Sequence, residues 1–169
     1  GALMNQGIHG IDIFRYLMGK PRSLTAYART LTHDIEVEDM AVAILEFEGG
    51  ALGTIEGSTT CNPGYPRRVE ICGDEGSIVL EEDAILKWDV DIPCNLPVGL
   101  QAENIGASDP LAISYAGHTR HFVNFVNAIL HGEKLLQDVR GGRLPLEIIL
   151  GIYRSSQSGQ PLDMKEVSL

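Results

Sequence analysis

Apolar and polar positions change period along the 169-residue chain. In the first 19 residues, GALMNQGIHGIDIFRYLMG, Met4, Ile8, Ile11 and Met18 recur at helical spacing, and Gly19-Lys20-Pro21 supplies a stop. From Ser23 to about Val90 short β-rich runs alternate with turn residues. They predict strands at Leu24–Leu31, Met40–Phe47, Ala51–Thr60, Arg67–Cys72, Ser77–Leu80 and Ile85–Val90. Glu48-Gly49-Gly50 and Gly73-Asp74-Glu75-Gly76 read as hairpin turns, so the strands form an antiparallel meander. Asp91 to about Ala116 reads as a long loop rich in Pro, Gly, Asn and Ser. Two helices follow. His118–His131 carries an apolar stripe of Phe122, Phe125, Val126, Ile129 and Leu130. Leu144–Ser158 has Pro145 in its first turn and ends at Gly159.

This order predicts an α+β fold, a predominantly antiparallel sheet with helices packed on one face. Met40–Phe47 is apolar at both alternating sets of positions, so the other sheet face is left available for oligomerisation as a homodimer or homotetramer. Glu36, Glu38 and Asp39 read as a solvated edge before that strand. Cys61, Cys72 and Cys94 read as small buried residues, because an odd, widely spaced set without CxxC fits neither a disulfide framework nor a thiolate zinc site.

Lys plus Arg number 13 and Asp plus Glu 23, a formal charge of −10. An acidic chain without a basic run is a poor partner for nucleic acid or an anionic membrane. No apolar stretch reaches the ~18 residues of a membrane span. Composition and cysteine usage favour a cytoplasmic protein.

The chemistry concentrates on the first helix. At 100° per residue, Asn5, His9, Asp12 and Tyr16 fall in one narrow arc of an otherwise apolar helix. On a functional reading this stripe faces a cleft, and His9 exchanges a proton near neutrality. Asp12 then orients it and Asn5 contacts the substrate. The structural alternative has Asn5 capping the helix and His9 bonded to Asp12. Gly7 and Gly10 flank His9 and permit close approach of a backbone or a flat ring. Tyr65 and Arg67, in the turn segment NPGYPRR, are further substrate-binding candidates or simply turn residues. His118 and His121 stand three apart without an acidic cluster, and no metal site is expected.

The first helix resembles the segment GGxLxDxGxHxxDxxxxLxG of the glucose–fructose oxidoreductase / inositol dehydrogenase / rhizopine catabolism (Gfo/Idh/MocA) family. The resemblance continues through IEVEDMAVAILEFEGGALGTIEGST, EICGDEGSIVLE, GHTRHFVNFVNAILHGEK and EIILGIYRSSQSGQPLDM. It implies an NAD(P)-dependent oxidoreductase acting on a sugar, nucleotide-sugar or cyclitol-like alcohol or carbonyl. In that family a Rossmann domain holds NAD or NADP, and a C-terminal domain supplies the substrate pocket and often the oligomer interface. These 169 residues contain no strand–GxGxxG–helix unit and no Glu-Lys-Pro motif. The chain therefore reads as the C-terminal substrate-binding and oligomerisation domain alone, 1–169, without cofactor-binding residues beyond a possible close approach at Gly7. It is expected to be inactive by itself. His9 matches the family's catalytic His and Asp12 the Asp of HxxD. Asn5 stands where many members have a catalytic Asp, and Asn cannot accept a proton. The alternative is a non-catalytic binding or assembly module that retains the fold.

Overall fold

A computed structural model describes residues 1–82, 84–99 and 116–167. The fold is α+β with antiparallel sheets. The chain starts with a π-helical turn, Leu3–Gly7, that runs directly into α1 (Ile8–Met18). The sequence reads this stretch as one plain helix; the structure widens its first turn. Gly19, at φ 83°, ends α1.

Strand β1 (Pro21–Arg29) begins three residues before its expected start. Pro21 follows the helix stop directly and is the first residue of the strand, where a missing N–H is tolerated. With β2 (Met40–Phe47), β3 (Leu52–Ser58) and the short β7 (Leu162–Asp163), it forms a four-stranded sheet in the order β3-β2-β1-β7. A second sheet holds β4 (Arg68–Gly73), β5 (Gly76–Glu81) and β6 (Ala84–Val90), joined by tight hairpins. The single meander expected from the hairpin pattern is thus two sheets. The break falls at the Pro- and Gly-rich segment 59–67, which lies between β3 and β4 and belongs to neither strand.

The core lies between the four-stranded sheet and two helices, α1 and α3 (Val139–Ser158). Strand period 2 puts Ala41, Ala43, Leu45 and Phe47 against them and turns Val42 and Ile44 outward. Ile11 of α1 and Ile148, Ile149 and Ile152 of α3 fill the other side. Close approach sets the composition of β3: a side chain on Gly57 would stand 2.6 Å from Leu3 Cδ2, so only glycine lets the first turn press onto the strand.

Strand β1 pairs with β7 only at Ser23 and Leu24, which leaves its edge open further along. Helix α3 closes it with side chains. Ser155 Oγ accepts from Ala26 N–H at 3.1 Å, and Ser156 Oγ accepts from Ala28 N–H at 2.8 Å. The adjacent serines thus act as substitute strand partners and blunt an edge that would otherwise invite pairing.

Helix α3 begins five residues before its expected start, capped by Asp138, whose carboxylate accepts from Gly141 N–H at 2.8 Å. Pro145 therefore lies inside the helix rather than in its first turn. The residue four back is Gly141, whose lack of a side chain leaves room where a proline ring crowds the preceding turn.

Helix α2 (Ala116–His131) carries the expected stripe, but the stripe is not packed: Phe122, Phe125, Val126, Ile129 and Leu130 are all exposed. Asn124 alone among the described side chains of this helix is buried. It donates to Glu133 and to the Lys134 carbonyl and accepts from Leu136 N–H, folding the following loop back onto α2. The greater part of the long loop expected after Asp91, residues 100–115, lies outside the described residues.

Two further expectations are corrected. Glu38 and Asp39 are buried, not solvated. Asp39 accepts three backbone N–H bonds, from Leu31, Thr32 and His33, at 2.7–2.9 Å. Glu38 accepts from Leu3 N–H and from the Tyr153 hydroxyl. Buried carboxylates need such donors, three backbone N–H groups for Asp39 and one N–H and a phenol for Glu38, and sequence spacing does not reveal them. Cys61 and Cys72 are exposed and Cys94 is partly buried, because all three fall in turns or at sheet margins rather than in the core.

Candidate functional site

The candidate stripe starts in the π turn, which carries Asn5, and continues on α1 with His9, Asp12 and Tyr16. The opposite side of α1 is held in the core by Ile11, with Ile8, Phe14 and Met18 packed around it. That burial turns the polar residues outward. Asn5 and His9 are exposed, Asp12 is half-buried, and Tyr16 is 76% exposed.

Asp12 does not bond His9. Its Oδ1 accepts from Arg15 Nη2 at 2.7 Å. Asn5 is not the helix cap either; Ala2 stands there, with no side-chain cap bond. The helix N-terminus is instead held by the Glu38 carboxylate, which accepts from Leu3 N–H at 3.0 Å. Gly7 turns its bare face to Leu3 of its own turn, 3.3 Å from where a side chain would start. Gly10 meets another element: a side chain there would lie 2.9 Å from Arg67 Cδ. The structure therefore brings Arg67 to the helix that carries His9. Tyr65, two residues earlier, is 82% exposed.

Arg67 is gripped by Glu82, a residue that the sequence reading does not single out. Arg67 N–H donates to Glu82 Oε1 at 2.8 Å, and Arg67 Nη2 pairs with Glu82 Oε2 at 3.4 Å. The only sequence signal for Glu82 is its place in the β5–β6 turn.

No cavity among those best formed in the described residues is lined by His9 or Asn5. The larger hollow lies on α2, between His118, His121, Phe122 and Gln137. A water-sized one lies between Arg15, Lys20 and Glu147. Among the described residues no three His, Cys, Asp or Glu side chains gather to hold a metal, so His9, His118 and His121 do not converge. No helix among them is long and apolar enough to cross a membrane.

Residues 1–79, from Asn5 through Arg67, match the family model of the GFO/IDH/MocA C-terminal domain. This stretch is similar to the Gfo/Idh/MocA family. The chain is 35% identical over 85 residues to scyllo-inositol 2-dehydrogenase (NAD(+)) of Bacillus subtilis, covering 47% of this chain and 25% of that protein. It is 34% identical over 83 residues to myo-inositol 2-dehydrogenase of Thermotoga maritima, covering 46% and 25%. Among solved structures it is similar to the WlbA dehydrogenase of Bordetella pertussis in complex with NADH and UDP-GlcNAcA. The TM-score is 0.77 at 27% identity, over 96% of this chain and 44% of that one. The likeness in fold thus extends over 96% of this chain, while the chain spans less than half the length of these relatives.

Proposed function

We propose that this chain is the substrate-binding and oligomerisation domain of an NAD(P)-dependent oxidoreductase acting on a sugar, nucleotide-sugar or cyclitol-like alcohol or carbonyl. The observation that carries the reading is the outward polar stripe, in a chain whose similar proteins include inositol dehydrogenases. When bound, the nicotinamide supplies the hydride chemistry.

On this reading His9 takes the hydroxyl proton as an alcohol is oxidised and returns it in reverse. Exposure leaves its ring open to a bound substrate. Asn5, four residues earlier, donates or accepts a hydrogen bond to a substrate oxygen but carries no proton itself. Asp12 is engaged by Arg15, so it acts on His9 only through the local charge. Tyr16 and Tyr65 offer exposed rings and hydroxyls to a sugar. The stripe lies on an open surface, so a second surface must close the pocket over it.

The test is turnover of the complete polypeptide, followed by nicotinamide absorbance. His9→Ala is expected to lower turnover by about 100-fold or more. Turnover near the parent value would remove His9 from proton transfer and favour the non-catalytic assembly module instead.

A further inference from the structure

We propose that Glu38 is a positioning residue: its buried carboxylate anchors the π-helical first turn and so sets where Asn5 stands relative to His9. The proposal rests on the reading of the polar stripe as a substrate site and adds what holds the two ends of that stripe in register.

Asn5 and His9 are fixed by different means. His9 sits on α1, which Ile11 ties into the core. Asn5 sits one turn earlier, in the π turn Leu3–Gly7. A π turn closes its ring over one residue more than an α turn, and single π turns within helices recur at functional sites. The wider turn rotates Asn5 away from the place a plain α-helix would give it, so the position of the first residues decides how Asn5 faces His9. The turn has no side-chain cap of its own. Glu38 supplies the hold from across the fold. Its carbonyl accepts from Ala2 N–H at 2.9 Å, and its Oε1 accepts from Leu3 N–H at 3.0 Å. These are two of the four N–H groups that a helix start leaves without partners. A side chain on Gly1 would run into the Glu38 carboxylate, and glycine there lets the turn close down on its anchor.

The anchor is itself fixed. Tyr153 of α3 donates to the same Oε1 at 2.9 Å. The next residue, Asp39, donates its N–H to the Arg29 carbonyl and accepts at its own carbonyl from Thr59 N–H. Glu38 is 8% exposed, and among the described residues its carboxylate is met by N–H and O–H donors rather than by a cation. Burying a charge in this way costs stability. A Ser, Asp or Asn on the turn would cap it without that cost. Such a local cap would leave the turn free to move with its own helix. A carboxylate 35 residues along the chain from Leu3 ties it to the start of β2 and to α3.

The test uses the complete polypeptide in two arms. In hydrogen exchange read by mass spectrometry, Glu38→Ala should speed exchange in a peptide spanning residues 2–10 by about tenfold or more and leave a peptide spanning 146–156 unchanged. Glu38→Gln, which keeps an acceptor for Leu3 and Tyr153, should restore most of the protection. Tyr153→Phe should give the same local pattern at smaller amplitude, and it carries this arm if Glu38→Ala does not fold. The second arm is a double-mutant cycle on KM and kcat with NAD and myo-inositol. Glu38→Ala should raise KM several-fold, as Asn5→Ala does, whereas a smaller folded fraction would lower kcat alone. Added to Asn5→Ala it should cost little further, because it acts through Asn5. Unchanged exchange at 2–10, equal acceleration in both peptides, or additive losses in the cycle would each overturn the proposal. An Asn5→Ala variant with the parent KM would overturn the reading of the stripe as a substrate site. The exchange arm needs no turnover and would still decide whether Glu38 sets the turn.

Discussion

Asp39 shows how a single buried carboxylate organises its surroundings. It is fully buried, and the N–H groups of Leu31, Thr32 and His33 converge on it, with His33 Nδ1 at 3.1 Å. The largest influence on its pKa is the backbone bond from His33, followed by an opposing desolvation, then the bonds from Leu31 and Thr32. Together they hold it well below the usual carboxylate range. A group whose folded pKa is depressed contributes stability that is present above its unfolded pKa and lost as pH falls through the folded value. Denaturant midpoints should therefore fall from pH 5 downward, and Asp39→Asn should flatten that acid limb while lowering stability at pH 7. An unchanged acid limb in Asp39→Asn would show that other carboxylates set it. Tyr153 has the opposite sign: burial, then the bond to Glu38, push its pKa up. Its neutral form is favoured, so that contribution holds below pH 10 and fades in strong alkali. Neither environment is legible at residue level. The string EVED looks like a solvated acidic edge until the backbone donors that surround it are placed.

At the scale of elements, the agreement between pattern and structure follows burial. Met40–Phe47 coincides with β2 because one of its two faces is packed against helices, which enforces period 2. The start of α3 was not legible, since Val139, Arg140 and Gly141 carry no apolar period and the Asp138 cap decides it. The serine pair of α3 gives a direct test. Ser155 is fully buried; its Oγ accepts from Ala26 N–H and donates to the Gln160 carbonyl at 2.7 Å. Ser155→Ala leaves a buried N–H without a partner and should destabilise the fold by about 1–3 kcal/mol. Ser156→Ala, at a half-buried site where water can substitute, should lose less. Urea denaturation of the two variants checks the order, and an equal effect would mean that the open edge of β1 is not held this way.

At the scale of the whole molecule, two apolar surfaces stand exposed among the described residues. The outer face of the four-stranded sheet presents Tyr27, Val42 and Ile44, with Val42 opposite Tyr27 in register and Ile44 opposite Thr25. The stripe of α2 is the second. If the sheet face joins copies of the chain, as the proposed function holds, sedimentation at micromolar concentration should show a dimer or tetramer. Ile44→Lys should then convert it to monomer without unfolding, because the residue is 57% exposed. A parent chain that sediments as a monomer would remove the sheet face from assembly. The α2 stripe offers no such argument, as nothing in the structure shows what covers it.

Local order along the chain was enough to determine the α+β class, most strands, the outward arc of Asn5, His9, Asp12 and Tyr16, and the kinship of the first helix. Those features depend on neighbours within a turn or a strand pair, where side-chain period is set by backbone geometry. Only the folded chain decided that Asp12 answers to Arg15 rather than His9, that Glu38 closes the first helix, and that Glu82 holds Arg67 against Gly10. Each of these joins groups brought together by side-chain reach or by the packing of distant segments. Such contacts are set by where the chain can bury its core, and no periodicity in the sequence encodes that.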